Sequence, residues 1–301
     1  VKIKVFFNTI MQRFVSGDKN LKISLLIFAA FYLVAIITRL IISPASIPLY
    51  LLMDAGLSGL VLWVFDLTKK RSLAEDPLKD PFFELTILFM MVFALRGIVP
   101  VIPLQWWEAG EIIRKNIVYV LPVVLLALGF RAPVQEVIIL KSNFRKDAFL
   151  GVVICAALFI PLSLYSGSLK MLTNGRLSLA QLAAVLGVGF VYNIFMAALP
   201  EELFYRAFVQ RRLSAGLKSP WSGLLLSALF FGIVHAAGNT SWGFGKTLLD
   251  GFAESVFVQS FIGLLLGAVY LRTRNILLCI VIHAFINAGT NIALFAARIG
   301  F

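Results

Sequence analysis

Three short patterns in the C-terminal part of the chain carry residue types able to do chemistry: Glu201-Glu202-x-x-x-Arg206, Phe231-x-x-x-His235 and His283-x-x-x-Asn287. His235 and His283 are the two histidines of the sequence. On a helix, residues four apart share a face, so Glu202 and Arg206 are placed to form an ion pair, while Glu201 is turned about 100° away. The same rule makes His283 project with Asn287, and His235 with Phe231. Spacing therefore assigns Glu202 an orienting part, neutralised by Arg206, and leaves Glu201 to react. A buried carboxylate hydrogen-bonded to an imidazole can deprotonate water. His283 and Asn287 can then donate to the oxyanion formed when that water attacks a carbonyl. One buried histidine is more often a satisfied core group than a catalyst. Two of them with a glutamate pair in successive apolar segments shift that balance, because polar groups in lipid have few partners.

The elements that must position these groups are apolar throughout. The 301 residues are 60% hydrophobic and 14% charged, with mean hydropathy +0.94, well beyond the roughly 45–50% apolar content of soluble domains. The expected fold is an all-α, polytopic integral membrane bundle. Runs near the roughly 20 residues that a span needs are Leu21–Ile42, Ile47–Leu67, Phe82–Pro103, Ile112–Phe130, Ala148–Leu169, Leu177–Leu199, Trp221–Ala237, Phe252–Leu271 and Ile276–Ala297. They predict eight or nine transmembrane helices. Helix is expected to continue through Leu203–Leu217, and Pro200, which has no N–H, is expected to release the carbonyl of Met196. Residues 1–20 read as a basic amphipathic segment lying on the membrane surface, with no small-residue cleavage site. Residues 21–176 read as accessory helices poor in chemistry, and residues 177–301 as the catalytic core.

The net charge of +12, from 27 Lys+Arg against 15 Asp+Glu, belongs in the loops. It favours anionic lipid and the positive-inside rule over nucleic acid. A cytoplasmic amino terminus puts Lys69-Lys70-Arg71, Lys141/Arg145/Lys146, Arg211-Arg212/Lys218 and Arg272/Arg274 on one face; Lys170 and Arg176 break the alternation, so one span can be re-entrant. Cys155 and Cys279 fall in apolar runs and read as small hydrophobes. Arg39 is expected to snorkel toward the interface. Arg96 and Asp54 are expected to pair with each other or with backbone carbonyls. Gly56-Leu57-Ser58-Gly59 matches a short serine-protease pattern, but small residues in membrane helices more often mark close packing.

Taken in order, the three motifs resemble those of the CPBP intramembrane proteases, the family that includes the type II CAAX prenyl endopeptidases and the bacterial Abi proteins. The resemblance covers about Leu177 to Ala297. It implies an intramembrane glutamic endopeptidase in which Glu201 and His235 activate water, and His283 and Asn287 stabilise the oxyanion. Glu202 and Arg206 support them. The implied partners are the lipid bilayer, a membrane-associated peptide or protein substrate and other proteins of a membrane complex, in a prokaryotic cytoplasmic membrane. No cofactor is expected. The rival is zinc on Glu201, His235 and His283, opposed by the absence of His-Glu-x-x-His and by the fixed charge of Arg206. A non-catalytic subunit, scaffold or immunity protein is the alternative of another class. A transporter is a third, against which no inverted repeat is visible.

Overall fold

The structure is a computed structural model that describes residues 18–68, 78–99, 107–129, 144–165, 177–241 and 247–301. Almost all of the basic amino-terminal segment, Lys69-Lys70-Arg71, Lys141, Lys170 and Arg176 lie outside the described residues. The helices are α1 (Lys19–Ile42), α2 (Ile47–Leu67), α3 (Pro81–Ile98), α4 (Trp107–Gly129), α5 (Phe144–Tyr165), α6 (Leu179–Gly216), α7 (Pro220–Ser241), α8 (Leu248–Thr273), α9 (Ile276–Thr290) and α10 (Ile292–Arg298). No strand occurs among the described residues.

Six of these helices are long and apolar enough to cross a membrane: α1, α2, α3, α4, α6 and α8. The pair α9 and α10 adds a seventh if taken as one span bent by 74°, and α7 is apolar but shorter over Pro220–Ala236. Eight or nine is thus an approximate count. The expected run Ile276–Ala297 is broken at Asn291, whose Nδ2 donates to the carbonyl of Asn287 at 2.8 Å. The backbone of Asn291 leaves the helical region there, at φ −116° and ψ 26°. Starts are fixed by polar caps: Asp18 accepts from the backbone of Leu21, and Ser178 and Gln181 form a capping box. Asn275 accepts from the backbone of Leu278 at 3.1 Å while donating to Asp147 at 3.2 Å.

The chain packs as two compact units whose boundaries fall inside α3, inside α6 and between α8 and α9. One comprises Val1–Leu85 and Phe208–Thr273, the other Thr86–Ala207 and Arg274–Phe301. Each takes residues from both sides of position 176. In the first unit α7 lies against α8 through small residues. A Cβ on Gly232 would stand 2.0 Å from Ser260 Oγ and 2.8 Å from the carbonyl of Ser255, so only glycine permits this approach.

Three buried ionisable side chains of the first unit, Arg39, Arg212 and Asp54, have partners within it. Arg39 does not snorkel: it is buried, donates to Asp250 at 2.5 Å, lies 3.8 Å from Glu254 and sits over the Tyr50 ring. Two acidic side chains of α8 meet it inside the unit, so it need not reach the headgroups. Arg212, counted above with the loop charges, is buried in α6, where it donates to Glu84 at 2.8 Å and covers the Phe208 ring. Asp54 accepts from Tyr32 at 2.7 Å rather than from an arginine. Among the described residues nothing lies within 4 Å of a Cβ added at Gly56 or Gly59, so they mark no close packing there.

In the second unit α9 packs on α5 and α6, α10 packs on α6, and α4 crosses α6 near the glutamate pair. Phe295 of α10 lies 2.8 Å from where a Cβ on Gly189 would stand. With Val185, Ile292 and Ala296 it forms an apolar core that fixes α6 beside α10. Arg96 donates to the Tyr119 hydroxyl, and Tyr119 in turn packs edge-on against Phe204.

Candidate active site

α6 is continuous from Leu179 to Gly216, so helix runs through the glutamate pair as the sequence predicts. Its winding changes there. Wide, π-type turns occupy Ile194–Ala198 and Leu203–Gln210, with Leu199–Glu202 between them. Such turns are rare, arise where the hydrogen-bond ladder is disturbed, and are frequent at functional sites. The backbone N–H of Leu199 reaches back to Ile194, bypassing Phe195, and the next residue able to serve Phe195 is Pro200, which has no N–H. The orphaned carbonyl of Phe195 is taken by Asn116 Nδ2 of α4 at 2.9 Å. The carbonyl found with a side-chain donor is therefore that of Phe195, one residue before the Met196 expected, because the wide turn moves the register.

The reshaped segment buries both carboxylates in the second unit. Glu202 is fully enclosed and Glu201 nearly so. Arg206 Nη1 donates to Glu202 Oε1 at 3.0 Å, the pair that i, i+4 spacing predicts. The same oxygen lies 2.7 Å from His283 Nδ1. A carboxylate can only accept, so Nδ1 carries the hydrogen in this bond and the neutral ring has its lone pair on Nε2. Glu202 is thus more than a neutralised neighbour: it sets the tautomer and angle of His283, as a carboxylate behind an imidazole does in hydrolytic triads.

Glu201 is positioned by two further elements. Its Oε1 accepts from Lys115 Nζ of α4 at 2.5 Å, and its Oε2 lies 3.7 Å from His283 Nε2. That separation is too long for a direct hydrogen bond. Two acceptors face each other across it, and a water molecule can satisfy both by donating one hydrogen to each. The cluster holds two carboxyl side chains, an ammonium side chain and a guanidinium side chain: Glu201, Glu202, Lys115 and Arg206.

Asn287 stands one turn beyond His283 on α9, half-buried, with its carbonyl accepting from Asn291 and Thr290. His235 belongs to the first unit, on α7 one turn after Gly232. Its Nδ1 lies 2.6 Å from the Phe231 carbonyl, and its ring is 4.5 Å from that of Phe231. Donation from Nδ1 again leaves Nε2 as the acceptor of the neutral ring. The structure thus brings Glu201, Glu202, Arg206 and His283 together, with Asn287 on the His283 helix, while His235 is described within its own unit.

One sequence-based expectation changes. Glu201 is ion-paired, and its partner Lys115 lies in none of the three motifs, in helices read as poor in chemistry. The signal was present: Lys115 falls inside the run Ile112–Phe130 read as a span, where an ammonium group is costly unless it has a partner. For metal, no group of three or more His, Cys, Asp and Glu able to hold an ion occurs among the described residues. The guanidinium of Arg206 beside Glu202 opposes a cation at that carboxylate.

Residues 184–289 match the family model described as type II CAAX prenyl endopeptidase Rce1-like. That segment holds all three motifs and bears out the resemblance read from them. Lys115 lies outside it. No curated protein and no solved structure matches the chain.

Proposed function

We propose that this chain, whose residues 184–289 carry a type II CAAX endopeptidase-like domain among membrane-spanning helices, hydrolyses peptide bonds of membrane-associated proteins with Glu201 as the general base. The observation that carries the reading is the opposition of Glu201 Oε2 and His283 Nε2 at 3.7 Å, inside a buried polar cluster. A water held by both acceptors presents its oxygen to a substrate carbonyl. Glu201 takes one proton as the C–O bond forms, Asn287 donates its amide hydrogens to the oxyanion, and collapse of the intermediate breaks the C–N bond. Glu201 then returns the proton to the leaving amine.

This moves His283 from the oxyanion side, where the resemblance puts it, to the water side. With its Nδ1–H committed to Glu202, the neutral ring has no donor left at Nε2. His235 keeps the part the resemblance gives it in water activation, and the bond from its Nδ1 to Phe231 is the tautomer that an acceptor at Nε2 requires. The substrates are membrane-associated chains in a prokaryotic cytoplasmic membrane, not confined to prenylated tails, and the amino terminus is cytoplasmic. The test is cleavage of a peptide library by protein purified in detergent. Wild type cleaves and Glu201→Ala and His235→Ala do not; cleavage unaffected by either change overturns the proposal.

A further inference from the structure

The residue that the motifs do not explain is Lys115. It sits nine residues into α4, outside the family-matched segment, yet its ammonium group lies 2.5 Å from the Glu201 carboxylate. Its side chain is three-quarters buried and that of Glu201 nearly completely so. The neighbouring Asn116 fixes where the lysine stem begins. Its Nδ2 bonds both the carbonyl of Ile112 in its own helix at 2.8 Å and the orphaned carbonyl of Phe195 at 2.9 Å. The wide turn in α6 therefore creates the acceptor that docks α4, and docking α4 brings Lys115 to Glu201.

We propose that Lys115 is a positioning residue for the reaction: by holding Oε1, it fixes the plane of the Glu201 carboxylate and turns Oε2 toward His283. This rests on the reading of Glu201 as the base. Two oxygens on one carbon cannot both point at one partner, so anchoring one aims the other. Lys115 also supplies the countercharge that an ionised carboxylate needs in an apolar bundle. A lysine, with three rotatable donors on a flexible stem, can keep its bond to Oε1 while Oε2 gains and loses a proton.

Loss of aim acts on the transition state more than on substrate binding. Misplacing a reacting group by about 1 Å can cost about 10²-fold. The experiment compares Lys115→Met, Lys115→Arg and Lys115→Ala in the purified full chain, on a peptide the wild type cleaves, with thermal unfolding measured on each. The expected result is a kcat lowered about 10²-fold in Lys115→Met with KM little changed, and partial activity in Lys115→Arg. Millimolar ethylammonium should restore turnover in Lys115→Ala, since that side chain is partly accessible. A variant that folds and keeps wild-type kcat overturns the proposal. So does a loss of activity that follows a loss of stability and is rescued neither by arginine nor by the amine, because that pattern is structural. Glu201→Ala is run alongside: if it remains active the base reading fails, whereas an inactive Glu201→Ala beside a fully active Lys115→Met removes Lys115 alone.

Discussion

The Glu202–Arg206 pair offers a sharp test of how this cluster is balanced. Both side chains are fully buried, 3.0 Å apart, where two unit charges attract by roughly 5 kcal/mol at an effective dielectric constant of about 20. Most of that attraction offsets desolvation, so the pair adds little net stability, but removing one partner strands the other. Arg206→Met removes the guanidinium from Glu202, which keeps its bond to His283, and should cost about 3–5 kcal/mol. Glu202→Gln removes the carboxylate from the guanidinium, which also lies over the Tyr205 ring, and should cost about the same. The double variant leaves no stranded charge, so its cost should fall to about 1–2 kcal/mol, a coupling of several kcal/mol. Unfolding by SDS titration in mixed micelles measures all three. Activity should not return with stability, because the double variant no longer holds His283 by a carboxylate. Additive costs in the double variant would refute the picture of one tightly coupled buried pair.

Other outcomes follow from the packing and the donor set. Gly232→Val forces a side chain into Ser260 and the Ser255 carbonyl and should cost about 3 kcal/mol or more. Gly56→Ala, in open space, should stay within about 0.5 kcal/mol; thermal unfolding distinguishes them. Asn275→Ala removes the α9 cap and the partner of Asp147 and should lower stability by about 1–2 kcal/mol, measured by the same unfolding titration. Ser58→Ala should leave peptide cleavage unchanged, since catalysis is assigned elsewhere; loss of turnover would revive the serine-protease pattern. Cleavage should survive exhaustive chelation with unchanged initial rates, and activity restored only by zinc would move the mechanism to a metal.

Most of the helical architecture was legible because long apolar runs, polar caps and i, i+4 spacing are local features. Glu202 and Arg206 needed only their separation in sequence to be paired. What spacing could not supply is contact between distant segments. The bond of Glu202 to His283 spans 81 residues and that of Lys115 to Glu201 spans 86, and neither leaves a periodic trace. Arg39 illustrates the same limit. A charge near a span end has two physical solutions, the headgroups or a buried acid, and only the fold put Asp250 and Glu254 within its reach. The break at Asn291 hid inside an apolar run because a single amide that caps a helix barely changes hydropathy. Pro200 did announce a disturbed ladder, yet the wide turn that shifted the orphaned carbonyl to Phe195 depends on a partner, Asn116, from another helix.

The central claim is that Glu201 is the base, and single-turnover cleavage of a defined membrane-associated peptide by Glu201→Gln tests it most directly. The glutamine keeps the shape of the side chain and removes its capacity to accept a proton. Peptide binding should persist, and the rate of bond cleavage should fall by about 10²–10⁴-fold relative to wild type. A cleavage rate equal to that of wild type, at saturating enzyme, would contradict the assignment.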